Sequence, residues 1–354
     1  MSRTRILVVR NDKLGDFMLS WPAFALLKQL WPEAILLALV PHYTADMARM
    51  CPWIDEVILD EGDSALRLAH KLRASSITHM LTLFSTRRVA LAGLLARIPY
   101  RLAPATKVAQ IFYNQRLTQR RSRSEKPEYA YNLDLVYRLI SDCHNTAIHS
   151  SQPDGEGDYL PATITRPLLQ PSRHVDRREF SQRHSLDHSA RWIVIHPGSG
   201  GSANNLALEQ YARLAASITY PGNLNFLITA GPGEEAVAQQ LCEQIQSTGK
   251  IAVPLPSATL SELVTTLQWA DLHISGSTGP LHVAAAMNRP TATFYPRHRS
   301  ATPLRWQTLN APDRRLAFTP VDGAVAEEVQ ACDVDDAARQ ISQLLLRLYP
   351  VVQP

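Results

Sequence analysis

Residues 5–16 read RILVVRNDKLGD. The first six of them, RILVVR, are a short apolar run rich in β-branched side chains, the pattern of a strand buried on both faces of a parallel sheet. A polar loop over 11–16 follows at once, and a helical spacing of apolar residues then runs through Phe17, Leu19, Ala23, Leu26, Leu27 and Leu30. Further strands are expected at 34–40, 56–59 and 79–84, with helices over 65–74 and 88–96 between them. Strands alternating with helices imply an α/β protein, a parallel sheet covered by helices on both faces.

Residues 150–174 differ in texture, with four prolines and no clear period, and read as a connection between domains. The alternation restarts with WIVIH at 192–196. Strands are expected at 225–229, 250–253 and 271–275, with a final one at 291–295; helices are expected over 208–218, 234–246 and 260–268 and from 278 onward. An amphipathic helix over 333–348 carries Asp335 and Asp336 in its first turn. The expected organisation is a first Rossmann-like domain over 1–165, a linker over 166–190 and a second Rossmann-like domain over 191–330. The closing segment, 331–354, is free to pack back toward the first domain.

At 354 residues, 45% hydrophobic and 19% charged, the chain is globular and long enough for two cores. Four widely spaced cysteines without a CxxC pair support neither a zinc site nor a disulfide framework, which fits a reducing cytosol. No apolar signal core opens the sequence, and the longest apolar stretch, 17–40, is broken by Lys28, Gln29, Pro32 and Glu33. The net charge of +4 hides an asymmetry: residues 64–138 hold 14 basic side chains against three acidic ones. A face of that kind attracts phosphorylated glycolipid, an anionic membrane surface or nucleic acid, unless its arginines are simply solvated. Nucleic acid fits worst, because the stretch carries no binding motif and its aromatics (Phe112, Tyr113, Tyr129, Tyr131) read as packing.

Open α/β sheets bind ligands at the carboxyl ends of their strands, so three strand-to-helix loops matter most. The first is 10–16, in which Gly15 permits a tight turn or close approach and Asp16 either caps the helix or faces a ligand. The second is 196–202, HPGSGGS, whose free N–H groups suit an anion, although it matches neither GxxxxGK[ST] nor GxGxxG. The third is 275–282, SGSTGPLH, in which Ser277, Thr278 and the first helical N–H groups suit a diphosphate.

In this order the loops resemble glycosyltransferase family 9, the ADP-heptose:lipopolysaccharide heptosyltransferases. The likeness rests on ILVVRNDKLGDFMLSWPAF, on YNQR followed by KPEYAYNLDLVYRL, and on VIHPGSGG, ITAGPGEE and ADLHISGSTGPLHVAAAMNRPTATFYP. It implies a GT-B fold, two Rossmann-like domains facing a central cleft, acting as an inverting, metal-independent transferase. Asp16 then matches the base that deprotonates the acceptor hydroxyl. Ser199, Gly200, Gly201, Asn204, Glu234, Ser277, Thr278, Gly279 and His282 match the nucleotide-sugar side. Lys13, Gly15, Arg120, Arg121, Arg123 and Lys126 match the acceptor side. The implied donor is ADP-linked and the implied acceptor a lipopolysaccharide core or similar anionic glycan. No cofactor, metal or nucleic acid is expected, and the implied location is the inner face of the bacterial inner membrane, held peripherally. Asp333 and Asp335 imitate a metal-binding DxD, but capping of the last helix is the better reading.

Two departures bear on the donor. The family's basic residue and Trp-Pro after the PG loop are replaced by Asn204-Asn205-Leu206-Ala207, and the third loop lacks the family aspartate. Arg297 or Arg299 is left to supply a cation. These changes leave open a UDP- or GDP-sugar donor, or a weakened paralogue that binds glycolipid. A sugar-nucleotide epimerase is disfavoured by the loop carrying Asp16.

Overall fold

The computed structural model describes residues 3–106, 108–147, 149–155, 157–171, 174–200, 204–257, 259–321 and 328–350. The chain divides into two compact units, one running to Thr165 and one starting at Arg166.

In the first unit the elements run β1 (Arg5–Val9), α1 (Leu14–Met18), α2 (Trp21–Leu30), β2 (Ile35–Pro41), α3 (Ala45–Met50), β3 (Glu56–Asp60) and α4 (Ala65–Ala74), then β4 (His79–Thr82), α5 (Arg87–Leu95), β5 (Tyr100–Pro104), β6 (Gln115–Leu117) and α6 (Glu128–His144). The strands form one parallel sheet in the order β3-β2-β1-β4-β5-β6. Ile6, Leu7, Val8 and Val9 have no exposed surface, as a strand covered on both faces requires. The helix expected from Phe17 to Leu30 is broken at Leu19 and Ser20. Pro22, in the first turn of α2, has no N–H to donate back to Met18, so one ladder bond is missing at the junction.

The second unit repeats the plan: α7 (Arg177–Arg183), β7 (Arg191–His196), α8 (Leu208–Ser217), β8 (Leu224–Ala230), α9 (Glu235–Gln246) and β9 (Ile251–Pro256), then α10 (Leu260–Leu267), β10 (Leu272–Gly276), α11 (Gly279–Ala286), β11 (Thr291–Phe294), β12 (Arg315–Phe318) and α12 (Val334–Leu348). Its sheet is also parallel, in the order β12-β11-β10-β7-β8-β9. Counted from each unit's first strand, the two orders are identical. In each, the sequence of strands reverses beside the first strand, between β1 and β4 and between β7 and β10, and loops leaving there splay apart to make room for a ligand.

Two expectations are corrected. Residues 291–295 do not hold the last strand, because β12 follows on the sheet edge. That strand is four residues long and opens on Arg315, too short and too polar to betray a period. The stretch 150–165 belongs to the first unit: Ser151 Oγ donates to Ala130 O, Tyr129 Oη donates to Asp158, and Leu160 and Ile164 are buried. The expected linker, 166–190, carries α7 inside the polar stretch 175–188, which reads as helical from its sequence. Asp176 caps α7, Phe180 lies against Trp192, and the Arg177 guanidinium sits 4.2 Å over the Trp192 ring.

The last helix, α12, completes the second unit's core. Ile341, Leu344 and Leu345 join the apolar cluster that includes Leu214 and Ala215 of α8. Ser342 Oγ accepts from Thr219 N at 2.9 Å, and Arg213 of α8 pairs with Asp335. Asp333 caps the helix by accepting from the N–H groups of Asp335 and Asp336, as expected.

Candidate active site

Arg10 follows the last residue of β1 and is 3% exposed. A guanidinium so deep persists only where its charge is matched. Three carboxylates match it: Nε donates to Asp12 Oδ1 at 2.8 Å, Nη1 to Glu128 Oε1 at 2.8 Å, and Nη2 to Asp16 Oδ1. Burial opposes the Arg10 charge, but Asp16, Asp12 and Glu128 together more than offset it and hold the proton more firmly than usual. Asp12 moves the other way: burial, with Asp16 adding to it and Arg10 opposing, pushes its carboxyl up to about 6. Two carboxylates on one cation titrate as a pair rather than as separate groups.

Asp16 does not cap its helix. The cap position of α1 is Lys13, with no side-chain cap bond, and the Asp16 carboxylate turns to Arg10 instead. Gly15 lies within α1 and makes no tight turn there. The basic segment splits in two. Lys13, Arg116, Arg120 and Arg123 are exposed, Arg123 lying 3.5 Å from Glu125. Arg121 and Lys126 turn inward: Arg121 donates to Glu128 Oε1, Gln119 Oε1 and Leu83 O, and Lys126 pairs with Asp134. The segment YNLDL is explained at the same time. Asn132 Nδ2 donates to Leu19 O, tying α6 to the end of α1, while Asp134 also accepts from Ser151 N.

In the second unit, the loop after β7 forms the expected N–H cradle, with Gly200 in the left-handed region at φ +52°. The cradle closes on a side chain of this chain. Glu234 Oε1 accepts from Ser199 N at 2.9 Å and Gly200 N at 2.8 Å, and Oε2 accepts from Gly231 N at 3.3 Å. Burial works against the Glu234 charge, but these N–H groups and nearby His196 outweigh it and keep the carboxyl below its ordinary range. His196 lies 3.7 Å from Glu234, and burial pushes its pKa down against the pull of that carboxylate. The amides of Ser199 and Gly200, expected to face a diphosphate, are thus engaged by the Glu234 carboxylate, which reaches across from the neighbouring loop. Gly201 lies outside the described residues. Asn204 points to Glu328 at 2.7 Å, and Asn205 Nδ2 donates to Pro197 O and Gly198 O, bracing the loop.

The loop after β10 is differently equipped. Thr278 stands at the cap of α11 but makes no side-chain cap bond, and its Oγ1 is buried with no hydrogen-bond partner among the described residues; Asn205 Oδ1 is in the same state. Ser277 and Gly279 flank Thr278 at the helix start, half-buried. His282 is 2% exposed and held neutral by burial, its pKa pushed down to about 4, within the packing of α11. Among the described residues no cluster of His, Cys, Asp or Glu is arranged to hold a metal ion.

A sequence profile described as glycosyltransferase family 9 (heptosyltransferase) matches residues 65–316, well over half of the chain. The chain belongs to glycosyltransferase family 9. A Haemophilus influenzae protein named "Putative glycosyltransferase" is 41% identical to this family 9 chain, over 98% of both sequences. Lipopolysaccharide heptosyltransferase 2 of Escherichia coli K12 is 25% identical over 82% of each. The solved structure of E. coli ADP-heptose lps heptosyltransferase II superimposes with a TM-score of 0.73 at 19% identity, covering 98% of this chain and 99% of that one. The same fold is therefore present in both. As a family 9 member this chain is a glycosyltransferase related to the lipopolysaccharide heptosyltransferases.

Sequence reasoning missed Arg10, Asp12 and Glu128 as members of the site. A signal for the first two was present: an arginine ending a fully apolar strand, with acids two and six residues on, has little to pair with except those acids. Glu128 had none, since 118 residues separate it from Arg10.

Proposed function

We propose that this family 9 enzyme is an inverting, metal-independent transferase of the GT-B type. It moves heptose or a related sugar from an ADP-heptose-like donor to a lipopolysaccharide core or similar anionic glycan. The observation that carries this reading is the carboxylate pair Asp12 and Asp16 held on a buried arginine at the carboxyl end of β1, where strand order reverses. Asp16, its side chain 15% exposed, accepts the proton of the acceptor hydroxyl as that oxygen attacks the anomeric carbon. A paired carboxyl titrating near pH 6 keeps the site in its proton-accepting form at neutral pH. The bond to the leaving nucleotide breaks on the opposite face, so configuration inverts.

On the donor side, the buried Thr278 hydroxyl and the start of α11 suit the leaving diphosphate, with the helix dipole favouring its charge. Glu234, its carboxylate fixed by three N–H groups, suits a hydrogen bond from a ribose hydroxyl. The exposed Lys13, Arg120 and Arg123 suit phosphates or carboxylates of the acceptor and an anionic membrane surface. No helix among the described residues is long and apolar enough to cross a membrane, which fits peripheral attachment at the inner face of the inner membrane.

Calorimetric titration with ADP, UDP and GDP, with and without EDTA, tests the reading. ADP is expected to bind selectively and equally well in EDTA; selective UDP or GDP binding replaces the donor, and dependence on Mg²⁺ or Mn²⁺ overturns the metal-free scheme. Gly276→Ala checks the donor loop. A Cβ at Gly276 falls inside contact distance of Asn205 Oδ1 and 2.9 Å from Asn204 O, so the loop must give way. Nucleotide affinity is expected to fall by about tenfold, since such displacements cost roughly 1–3 kcal/mol. Unchanged affinity places the donor elsewhere.

A further inference from the structure

The site's charges do not end at the carboxylate pair. Glu128, 1% exposed at the start of α6, offers one oxygen, Oε1, to two cations at once: Arg10 Nη1 at 2.8 Å and Arg121 Nη1 at 2.5 Å. Arg10 in turn divides its remaining donors between Asp12 and Asp16. The result is an alternating chain, Arg121–Glu128–Arg10–Asp16, running from the basic segment through a buried pair to the expected base. We propose that Glu128 and Arg121 are positioning residues for the transfer reaction: Arg121 competes with Arg10 for a single oxygen of Glu128, and so sets how much of the Arg10 charge falls on Asp12 and Asp16. This rests on Asp16 being the base.

The other charged and titratable groups around the pair do not duplicate this control. Tyr43, whose hydroxyl donates to the backbone carbonyl of Asp12, is pushed up to about 12 by burial, with Asp12 and Asp16 adding to it, and is neutral at working pH. Lys13 is exposed beside the pair, Asn11 between Arg10 and Asp12 bonds to Asp60, which pairs with Arg88, and Lys126 is paired to Asp134 on α6. Phe84 faces Arg10 at 5.9 Å and carries no charge. An acceptor phosphate that draws Arg121 away from Glu128 therefore turns Glu128 fully onto Arg10. Arg10 then loosens from Asp16, which becomes the stronger proton acceptor at the moment the acceptor is bound.

The signs separate this role from a merely structural one. Glu128→Gln removes a negative charge next to Arg10, so the carboxylate pair sits in a more positive field and takes up its proton at lower pH. Arg121→Gln removes a positive charge and shifts proton uptake to higher pH. Each shift is expected to be about half a pH unit, the size of one partly screened charge several ångströms away. Arg121→Lys, which keeps the charge, is expected to restore the wild-type midpoint.

The experiment is a ¹³C NMR titration of the full-length protein labelled at aspartate Cγ, with Asp12→Asn and Asp16→Asn spectra to assign the pair. The same variants are run through the pH profile of kcat/KM. Opposite shifts in the two variants, with rescue by lysine, support the proposal. Shifts in one direction, or none in variants that melt normally, overturn it. If Glu128→Gln does not fold, Arg121→Gln and the charge reversal Arg121→Glu decide alone, the reversal being expected to double the upward shift. The titration needs no substrate, so a failure here is distinct from a failure of the transferase reading, which Asp16→Asn tests by turnover.

Discussion

Asp16→Asn is expected to lower the rate of sugar transfer by about 10²–10⁴-fold, the range a positioned general base supplies. Asparagine keeps the shape and still accepts from Arg10 through its amide oxygen, so the loop after β1 and the thermal midpoint should change little. Donor affinity should be unaffected, because the side chain belongs to the first unit and the loops suited to the nucleotide to the second. The measurement is kcat with saturating donor and acceptor, alongside the calorimetric Kd for ADP. Wild-type turnover in this variant removes Asp16 from the mechanism and makes Asp12, the partner on the same arginine, the next residue to replace.

Arg10→Met should have the largest effect on stability. Methionine fills much of the volume but leaves Asp12 and Asp16 without their buried cation and Glu128 with Arg121 still paired to it. Breaking a buried ionic cluster by removing one partner costs about 3–5 kcal/mol, because uncompensated charge remains inside. The pH dependence carries the sign. Without the cation the folded-state pKa of Asp12 rises further above its unfolded value. A group raised in this way is accommodated while protonated and destabilises the fold as pH climbs through its folded pKa. Asp12 already stands at about 6 with Arg10 present. The variant should therefore be weakest at alkaline pH and recover part of its deficit below about pH 6, as read by thermal or urea melting at a series of pH values. A uniform loss across pH would mean that Arg10 matters for packing and not for charge.

The first strand of each sheet, β1 and β7, was legible from its apolar interior, ILVV and WIVI. β1 and β7 are covered on both faces, and a short β-branched apolar run before a glycine- or aspartate-bearing loop is the pattern of a buried parallel strand. Of the edge strands, β3 and β9 overlap the expected runs 56–59 and 250–253, but β6 and β12 were not legible, nor was β5 inside the first sheet. β5 and β6 contain arginines or end at proline, and β12 starts with one, so neither period nor hydrophobicity marks them. The site divides along the same physical line. Asp16 and Thr278 follow directly from central strands and could be named from the sequence. Glu128 arrives from a helix far along the chain. The closure of the Ser199 and Gly200 amides on Glu234 depends on how two loops from adjacent strands meet, which no local pattern encodes. The run Asn204-Asn205-Leu206-Ala207, which stands where a basic residue was expected, acquires a physical setting too. Asn205 ties the loop to the Pro197 and Gly198 carbonyls, so the position braces backbone here.

The docking of α12 on α8 has a consequence for how the protein is made. The first unit has all its strands and helices once Thr165 has been synthesised, and it can fold while the ribosome is still translating the rest. The second unit cannot finish in the same way, because the apolar face of α8 is covered by residues from the far end of the chain, Ile341 and Leu345 among them. A nascent chain halted near residue 330 carries a finished first unit beside a second with its α8 face bare, the kind of surface chaperones hold. Synthesis thus imposes an order: the unit bearing the arginine-held carboxylates matures first, and its counterpart closes only when the last helix leaves the ribosome.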